Sequence, residues 1–204
     1  MKKIVFGTSN PKKLADLRVI PAPGIELLSL DDIGVTMPVV AEDGNTFAAN
    51  AQQKYNALRP LVPAEYILAC EDSGLEILAL DNQPGVYSRR WNDERHEMTD
   101  EELISKTFTE LADKSDRSAQ FISAIIFGFK ATDQQTSYGV LSGSILPHID
   151  KAQRIKGMPY RALFYVDSAG VMLQQLIDTP YSERTVRTHR ERAWQQLLDV
   201  VWKK

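Results

Sequence analysis

Short apolar runs alternate with amphipathic stretches along the chain, and that alternation predicts strands and helices in turn. Lys3 to Phe6 reads as a first strand, followed by Gly7-Thr8-Ser9-Asn10-Pro11 and a helix with Leu14 and Leu17 at helical spacing, ending before Pro21. Asn10 suits the N-cap and Pro11 the first helical position. Ile25 to Leu30 reads as a second strand. Phe47, Ala51, Tyr55 and Leu58 then form one apolar stripe on a helix that starts near Asn45 or Thr46, with Asn50 and Lys54 on its flank.

The run Tyr66-Ile67-Leu68-Ala69-Cys70 predicts a buried strand that ends at two adjacent acids, Glu71 and Asp72. A second short strand is expected from Leu75 to Leu80, before a Pro84-Gly85 turn. Thr99-x-x-Glu102 is a capping-box pattern opening a helix with Leu103, Ile104, Thr107, Phe108 and Leu111 inward. Ser118 to Lys130 and Thr136 to Leu146 read as two long strands, with Gly139 and Gly143 marking bulges or close backbone approach. A last strand is expected from Ala162 to Val166. A second capping box, Thr188-x-x-Glu191, opens a helix burying Ala193, Trp194, Leu197, Leu198 and Val201. Strands and helices in this order, with a long hairpin, predict an α/β fold on a mixed sheet flanked by helices.

The 204 residues suffice for one large α/β domain or two lobes around a cleft. The net charge of −3 argues against a dedicated nucleic-acid binder, which carries a basic excess, but leaves room for a basic pocket. Cys70 has no second cysteine to pair with and ends an apolar run, as a small buried hydrophobe does. No apolar run is long enough to span a bilayer and no signal peptide is visible, so a cytoplasmic setting and no membrane partner are expected.

Candidate chemistry gathers at three places. Glu71 and Asp72 stand at the mouth of a buried strand, where open α/β sheets place ligands. Two carboxylates that close repel, so they require a cation between them or a shared proton, and Mg²⁺ is the hard cation that carboxylates and phosphates hold together. Read alone, the pair fits a solvated acidic turn as well as it fits a site. The Thr8-to-Lys13 segment joins a strand to a helix N-terminus, an arrangement that receives anions, although a capped turn with a solvated lysine explains it equally. His189 and Arg190 fall in the first turn of the last helix, where a cation is unfavourable unless an anion is present. Acids Glu42, Glu71 and Asp72 with cations Lys13, Lys54, Arg184 and Arg190 suit a metal-assisted reaction on a polyphosphate.

In its motifs and their order, nearly the whole chain resembles the inosine triphosphate pyrophosphatase family. Thr8-Ser9-Asn10-Pro11-Lys12-Lys13 is similar to the family's T-x-N-x-x-K segment, and Glu42 to Ala51 with Lys54 to its E-x-G-x-T-F-x-x-N-A-x-x-K segment. Glu71-Asp72-Ser73-Gly74-Leu75, Pro84-Gly85-Val86-Tyr87-Ser88 and Thr188-His189-Arg190 resemble the acidic motif, its P-G-x-Y-S partner and the S-H-R near the C-terminus. The resemblance implies an elongated α/β structure with two lobes around a nucleotide-binding cleft, in a homodimer. It implies hydrolysis of inosine and xanthosine triphosphates, and their deoxy forms, to monophosphate and pyrophosphate with Mg²⁺. By position, Glu42 and Glu71 would help hold the metal beside Asp72, the candidate general base. Thr8, Asn10, Lys13 and Lys54 would hold phosphates, and His189 and Arg190 would contact the base and its surroundings, with Ser73, Tyr160 and Arg184 as further substrate contacts.

The chain departs from the family pattern where the base is read. The usual G-F-G-Y-D-P-x-F loop is Gly157-Met158-Pro159-Tyr160-Arg161-Ala162-Leu163-Phe164, so a thioether replaces the stacking ring and a cation replaces the acid. Arg184 stands where the family has lysine, and Arg89 replaces a small residue. These changes keep open two alternatives: another modified or pyrimidine triphosphate as substrate, or nucleotide binding without turnover.

Overall fold

The structure is a computed structural model that describes residues 1–92, 96–130 and 132–203. Strand β1 (Lys2–Gly7) leads through helix α1 (Pro11–Arg18) to β2 (Ile25–Leu28), and α2 (Phe47–Leu58) precedes β3 (Ile67–Ile77). After the two-residue β4 (Gln83–Pro84) come α3 (Asp100–Glu110), β5 (Ser118–Gly128), β6 (Gln135–Ile145), β7 (Phe164–Val166), β8 (Val171–Met172), α4 (Leu173–Asp178) and α5 (His189–Lys203). The strands form one open sheet in the order β2-β1-β3-β5-β6-β7-β8, with β4 against β3. β1 runs parallel to β2 and β3, whereas β4 pairs with β3, and β7 with β6 and β8, antiparallel. The expected mixed α/β sheet is therefore present.

The expected helix starts follow from local chemistry. The Asn10 side chain accepts from Lys12 N–H, the Thr46 side chain caps α2, and Thr99 and Glu102 close a full capping box on α3. Three expectations need correction. The strand through Glu71 does not stop at Cys70, because β3 continues to Ile77 and carries both acids in its interior; residues Leu78–Leu80 form a 3₁₀ turn instead of a second strand. Ala162–Val166 is shorter than expected, since Pro159–Ala162 is a 3₁₀ turn. Nor is it the last strand: β8 and α4 follow it, too short to leave a periodic signal.

The chain divides into two compact units. The first comprises Met1–Ser73, Ser123–Val140 and the C-terminal stretch from His189. Its core joins Val5, Leu30, Ala51, Tyr55, Leu58, Leu68, Cys70 and Ile126, with Phe6 meeting Trp194 edge-on at 6.0 Å. The second comprises Gly74–Ile122 and Leu141–Thr188. Its core is built on Leu75, Ile77, Trp91, Leu103, Phe121, Leu141, Leu163 and Phe164, the two phenylalanines 4.9 Å apart. Among the described residues no helix is long and apolar enough to cross a membrane.

Gly139 is what lets α5 lie against β6 in the first unit. A Cβ at that position would stand 1.9 Å from the His189 carbonyl oxygen and 2.7 Å from Ala193 N. No side chain can shift to relieve a clash with helix backbone. Gly139→Ala is therefore expected to lower stability by about 1–3 kcal/mol, as overpacking does. Urea unfolding measures it; an unchanged midpoint would mean α5 sits farther from the sheet.

Candidate active site

All of the sequence-predicted acids and all four predicted phosphate ligands belong to the first unit. β1 ends at Gly7, whose register partner on β3 is Cys70. Glu71 and Asp72 thus begin where their parallel neighbour stops, beside the Thr8–Asn10 loop and the N-terminus of α1. This is the crevice outside the carboxyl end of a parallel strand that α/β sheets use for ligands.

Because Glu71 and Asp72 are consecutive on a strand, their side chains leave on opposite faces. The contacts follow that division. Glu71, 1% exposed, meets α1 and α5: Arg190 Nε donates to Oε1 at 2.9 Å, Ser123 Oγ donates to the same oxygen at 2.7 Å, and Lys13 Nζ stands 3.3 Å from Oε2. Asp72 meets α2: Asn50 Nδ2 donates to Oδ2 at 3.0 Å and Lys54 Nζ to Oδ1 at 3.3 Å. In place of one cation between the two acids, the protein bonds Arg190 and Lys13 to Glu71 and Lys54 to Asp72, with Lys13 also attracted by Asp72. The pleat separates them, and each has its own cation.

Burial would push the Glu71 carboxyl up, but Arg190, Lys13, the Ser123 hydroxyl and His189 outweigh it and hold the group well below the ordinary carboxylate range. Lys54 is likewise buried, and Asp72 and Glu42 overcome that burial to keep its ammonium charged. Its Nζ lies 2.7 Å from Glu42 Oε2 and also donates to the Glu71 carbonyl. Glu42 reaches it from a backbone at φ 49°, a left-handed conformation that non-glycine residues seldom hold. Lys13 differs: burial lowers its ammonium below the ordinary lysine value, and Lys54 and Arg190 add to the effect against the pull of Glu71. Its side chain keeps 17% exposure. Of Lys13, Lys54 and Arg190 it is the most exposed.

Arg190 is a clamp. Nε holds Glu71, Nη1 donates to Asp16 Oδ2 at 2.7 Å, and Nη2 donates to Ser73 Oγ at 3.1 Å. The guanidinium in the first turn of α5 is thus compensated by protein carboxylates, the acidic counterparts its position requires. Ser73 is one of its acceptors, and His189 is the buried first residue of the same helix. Thr8 Oγ1 accepts from Asn10 N–H, and the Asn10 side chain is used on the α1 cap, so these two shape the loop.

Tyr160 and Arg184 lie in the second unit. The Tyr160 ring is part of its core and the hydroxyl donates to the Ser88 carbonyl at 2.8 Å; burial pushes the phenol up. Arg184 donates from Nε to the Thr179 carbonyl at 2.8 Å and from Nη2 to that of Ile177, capping the C-terminal end of α4. Arg161 Nη1 donates to Gln174 Oε1 at 3.2 Å, and Arg89 pairs with Asp100 at 2.7 Å. In each case the residue that departs from the family pattern is bonded within its own unit.

Ser123 and Asp16 were not singled out by sequence. A serine inside the apolar run Ala119–Phe127, and an acid three residues after Lys13 on the same helical face, are the signals that mark them.

The donor set suits magnesium in part. Glu71 Oε2 is a buried carboxylate oxygen that accepts no hydrogen bond and faces the Lys13 ammonium at 3.3 Å. Among the described residues, however, no three His, Cys, Asp or Glu side chains are grouped to hold a metal. Glu42, Glu71 and Asp72 do not surround one point, because strand alternation parts the last two and Lys54 engages the first. Magnesium commonly takes one or two protein carboxylates and completes its shell with phosphate oxygens and water, and Glu71 fits that use.

A model of the Ham1 family matches residues 4–200. The chain is 30% identical over 201 residues to the dITP/XTP pyrophosphatase of Christiangramia forsetii, an alignment covering 98% of this chain and 100% of that protein. It is 32% identical over 176 residues to the dITP/XTP pyrophosphatase of Staphylococcus aureus (strain MRSA252), covering 86% of each. Among solved structures, a HAM1 protein from Coxiella burnetii superposes with TM-score 0.78 at 29% identity over the whole of both chains. The Staphylococcus aureus Ham1 protein does so with TM-score 0.76 at 27% identity over 99% of each.

The depressed Glu71 carboxyl makes a pH prediction. A group held below its ordinary value, here 4.5, contributes stability above that value and loses the contribution as pH falls below it. Glu71→Gln should be destabilised by roughly 3 kcal/mol or more at pH 7, the cost of breaking a buried ion pair. Its deficit should shrink as pH drops below about 4.5. Urea unfolding at pH 7 to 3 tests this, and a deficit constant across that range would contradict it.

Proposed function

The chain belongs to the Ham1 family, and on that premise we propose that it is a nucleoside triphosphate pyrophosphatase clearing non-standard purine nucleotides. The substrates are inosine, deoxyinosine and xanthosine triphosphates, and the products a nucleoside monophosphate and pyrophosphate. The observation that carries the reading is the pair of separately compensated acids, Glu71 and Asp72, at the carboxyl end of β1 beside a helix N-terminus and Lys13.

The chemistry divides among the residues as follows. Lys13 receives phosphate oxygens in the first turn of α1, where both the ammonium and the helix dipole favour negative charge. Asp72, its two oxygens fixed by Asn50 and Lys54, orients a water and takes its proton. The water oxygen bonds to the α-phosphorus while the α–β anhydride P–O bond breaks, and the electron pair leaves with pyrophosphate. Lys54 offsets part of the negative charge of Asp72 and Glu42. Glu71 would hold Mg²⁺ together with the substrate phosphates, and that ion would neutralise the charge of the triphosphate. Ser123 and Arg190 fix Oε1 of Glu71, which leaves Oε2 as the oxygen for that purpose. A homodimer is part of the same proposal.

Pyrophosphate release from a panel of triphosphates, with and without Mg²⁺, tests the reading. Selective Mg²⁺-dependent release from inosine and xanthosine triphosphates is expected, and Asp72→Asn should lower kcat by about 10²–10⁴-fold, the usual contribution of a positioned base. Full activity in that variant would remove Asp72 from the role. Preference for a pyrimidine or other modified nucleotide would replace the substrate, and no turnover on any member would leave a binding protein.

A further inference from the structure

Asn50 enters the chemistry just described only as a donor to Asp72, yet it is completely buried on α2 and bonded to two segments at once. Its Oδ1 accepts from Gly44 N–H at 2.8 Å and its Nδ2 donates to Asp72 Oδ2 at 3.0 Å. Only one orientation of the amide serves both, because an N–H requires an acceptor and a carboxylate requires a donor. Aspartate at this position would keep the first bond and lose the second, and leucine would lose both.

The Gly44 side of this contact is equally specific. A Cβ on residue 44 would lie 2.7 Å from Ala49 Cβ and 2.8 Å from Asn50 Oδ1, so only glycine lets the loop come this close to α2. Two residues earlier stands Glu42, at φ 49°, with Oε2 2.7 Å from Lys54 Nζ. Lys54 lies one helical turn beyond Asn50 and returns to Asp72 at 3.3 Å. A closed circuit results: Asp72 to Asn50, Asn50 to the Gly44 loop, that loop through Glu42 to Lys54, and Lys54 to Asp72.

We propose that Asn50 is a positioning residue that locks the Glu42 loop and the Asp72 carboxylate into one geometry. The proposal rests on the reading that Asp72 takes the proton of the attacking water. Without the Asn50 donor, Oδ2 is released, the carboxylate can turn about its side-chain bonds, and the loop carrying Glu42 loses its tie to α2. The phosphate-receiving Lys13 does not contact Asn50. The cost should therefore fall on turnover and spare substrate binding.

Asn50→Asp is expected to lower kcat by roughly 10–100-fold, as loss of a supporting contact around a reacting group does, with KM within about threefold of wild type. Gly44→Ala, which displaces the loop without touching Asp72, should give the same kcat-selective loss. Wild-type kcat in both variants would overturn the proposal. A second readout does not need turnover. In Asn50→Asp/Asp72→Asn, donor and acceptor are exchanged across the pair and the hydrogen bond can form again. Asn50→Asp alone should lower Tm by roughly 2–4 °C, the double variant should recover most of that, and its activity should stay at the Asp72→Asn level. Single losses of Tm that simply add in the double variant would overturn the proposal. If the wild type releases no pyrophosphate from any triphosphate, the functional reading fails by itself, and the Tm cycle still decides whether Asn50 couples to Asp72.

Discussion

Strand alternation at Glu71 and Asp72 is the constraint on which the rest of the site depends. Two carboxylates one residue apart in a turn would repel and compete for the same counter-charge. Placed inside β3, they are carried to opposite faces, and the fold supplies each with separate partners. The α1 and α5 side brings Lys13 and Arg190 to Glu71, with Asp16 holding Arg190; the α2 side brings Asn50 and Lys54 to Asp72. An ionised carboxylate as buried as Glu71 is tolerable only because a guanidinium, an ammonium and a hydroxyl together offset its lost hydration.

This separation also divides labour among the cations. Arg190 is bonded to Glu71, Asp16 and Ser73, and Lys54 to Glu42, Asp72 and a backbone carbonyl; both hold the protein's own acids in place. Lys13 retains exposure and lies at the helix N-terminus. Under the proposed function a triphosphate would meet positive charge already in position there, which is what electrostatic preorganisation requires. Charge at the site is thus mostly compensated within the protein, and Lys13 is the least buried of its cations.

Much of the fold was legible because its signals are local. Asn10 before Pro11, Thr46 before Phe47 and Thr99 with Glu102 each announced a helix start through the bond that the side chain makes. Gly139 and Gly143 were readable as places of close approach, and their missing side chains do face the His189 and Tyr165 carbonyl oxygens. The course of β3 was not legible, because Glu71-Asp72-Ser73-Gly74 has turn composition and only tertiary partners make it strand. The roles of Arg190 and Arg184 were hidden for the same reason: their acceptors, Asp16 and the Ile177 and Thr179 carbonyls, are set by how helices pack and end. Ser123 is 52 residues from the acid it serves, beyond the reach of any spacing rule.

The most direct test of the separation is the stability coupling between Glu71→Gln and Asp72→Asn, measured by urea unfolding of the wild type, both single variants and the double variant at pH 7. Neighbouring acids that share a cation or a proton would show a coupling well above 1 kcal/mol, of the size seen for residues in one network. Acids on opposite faces, each with its own partners, should give losses that add to within about 0.5 kcal/mol. Additivity is the expected result. A large coupling would mean that Glu71 and Asp72 act as one titrating pair, and the division of the site between two faces of β3 would be wrong.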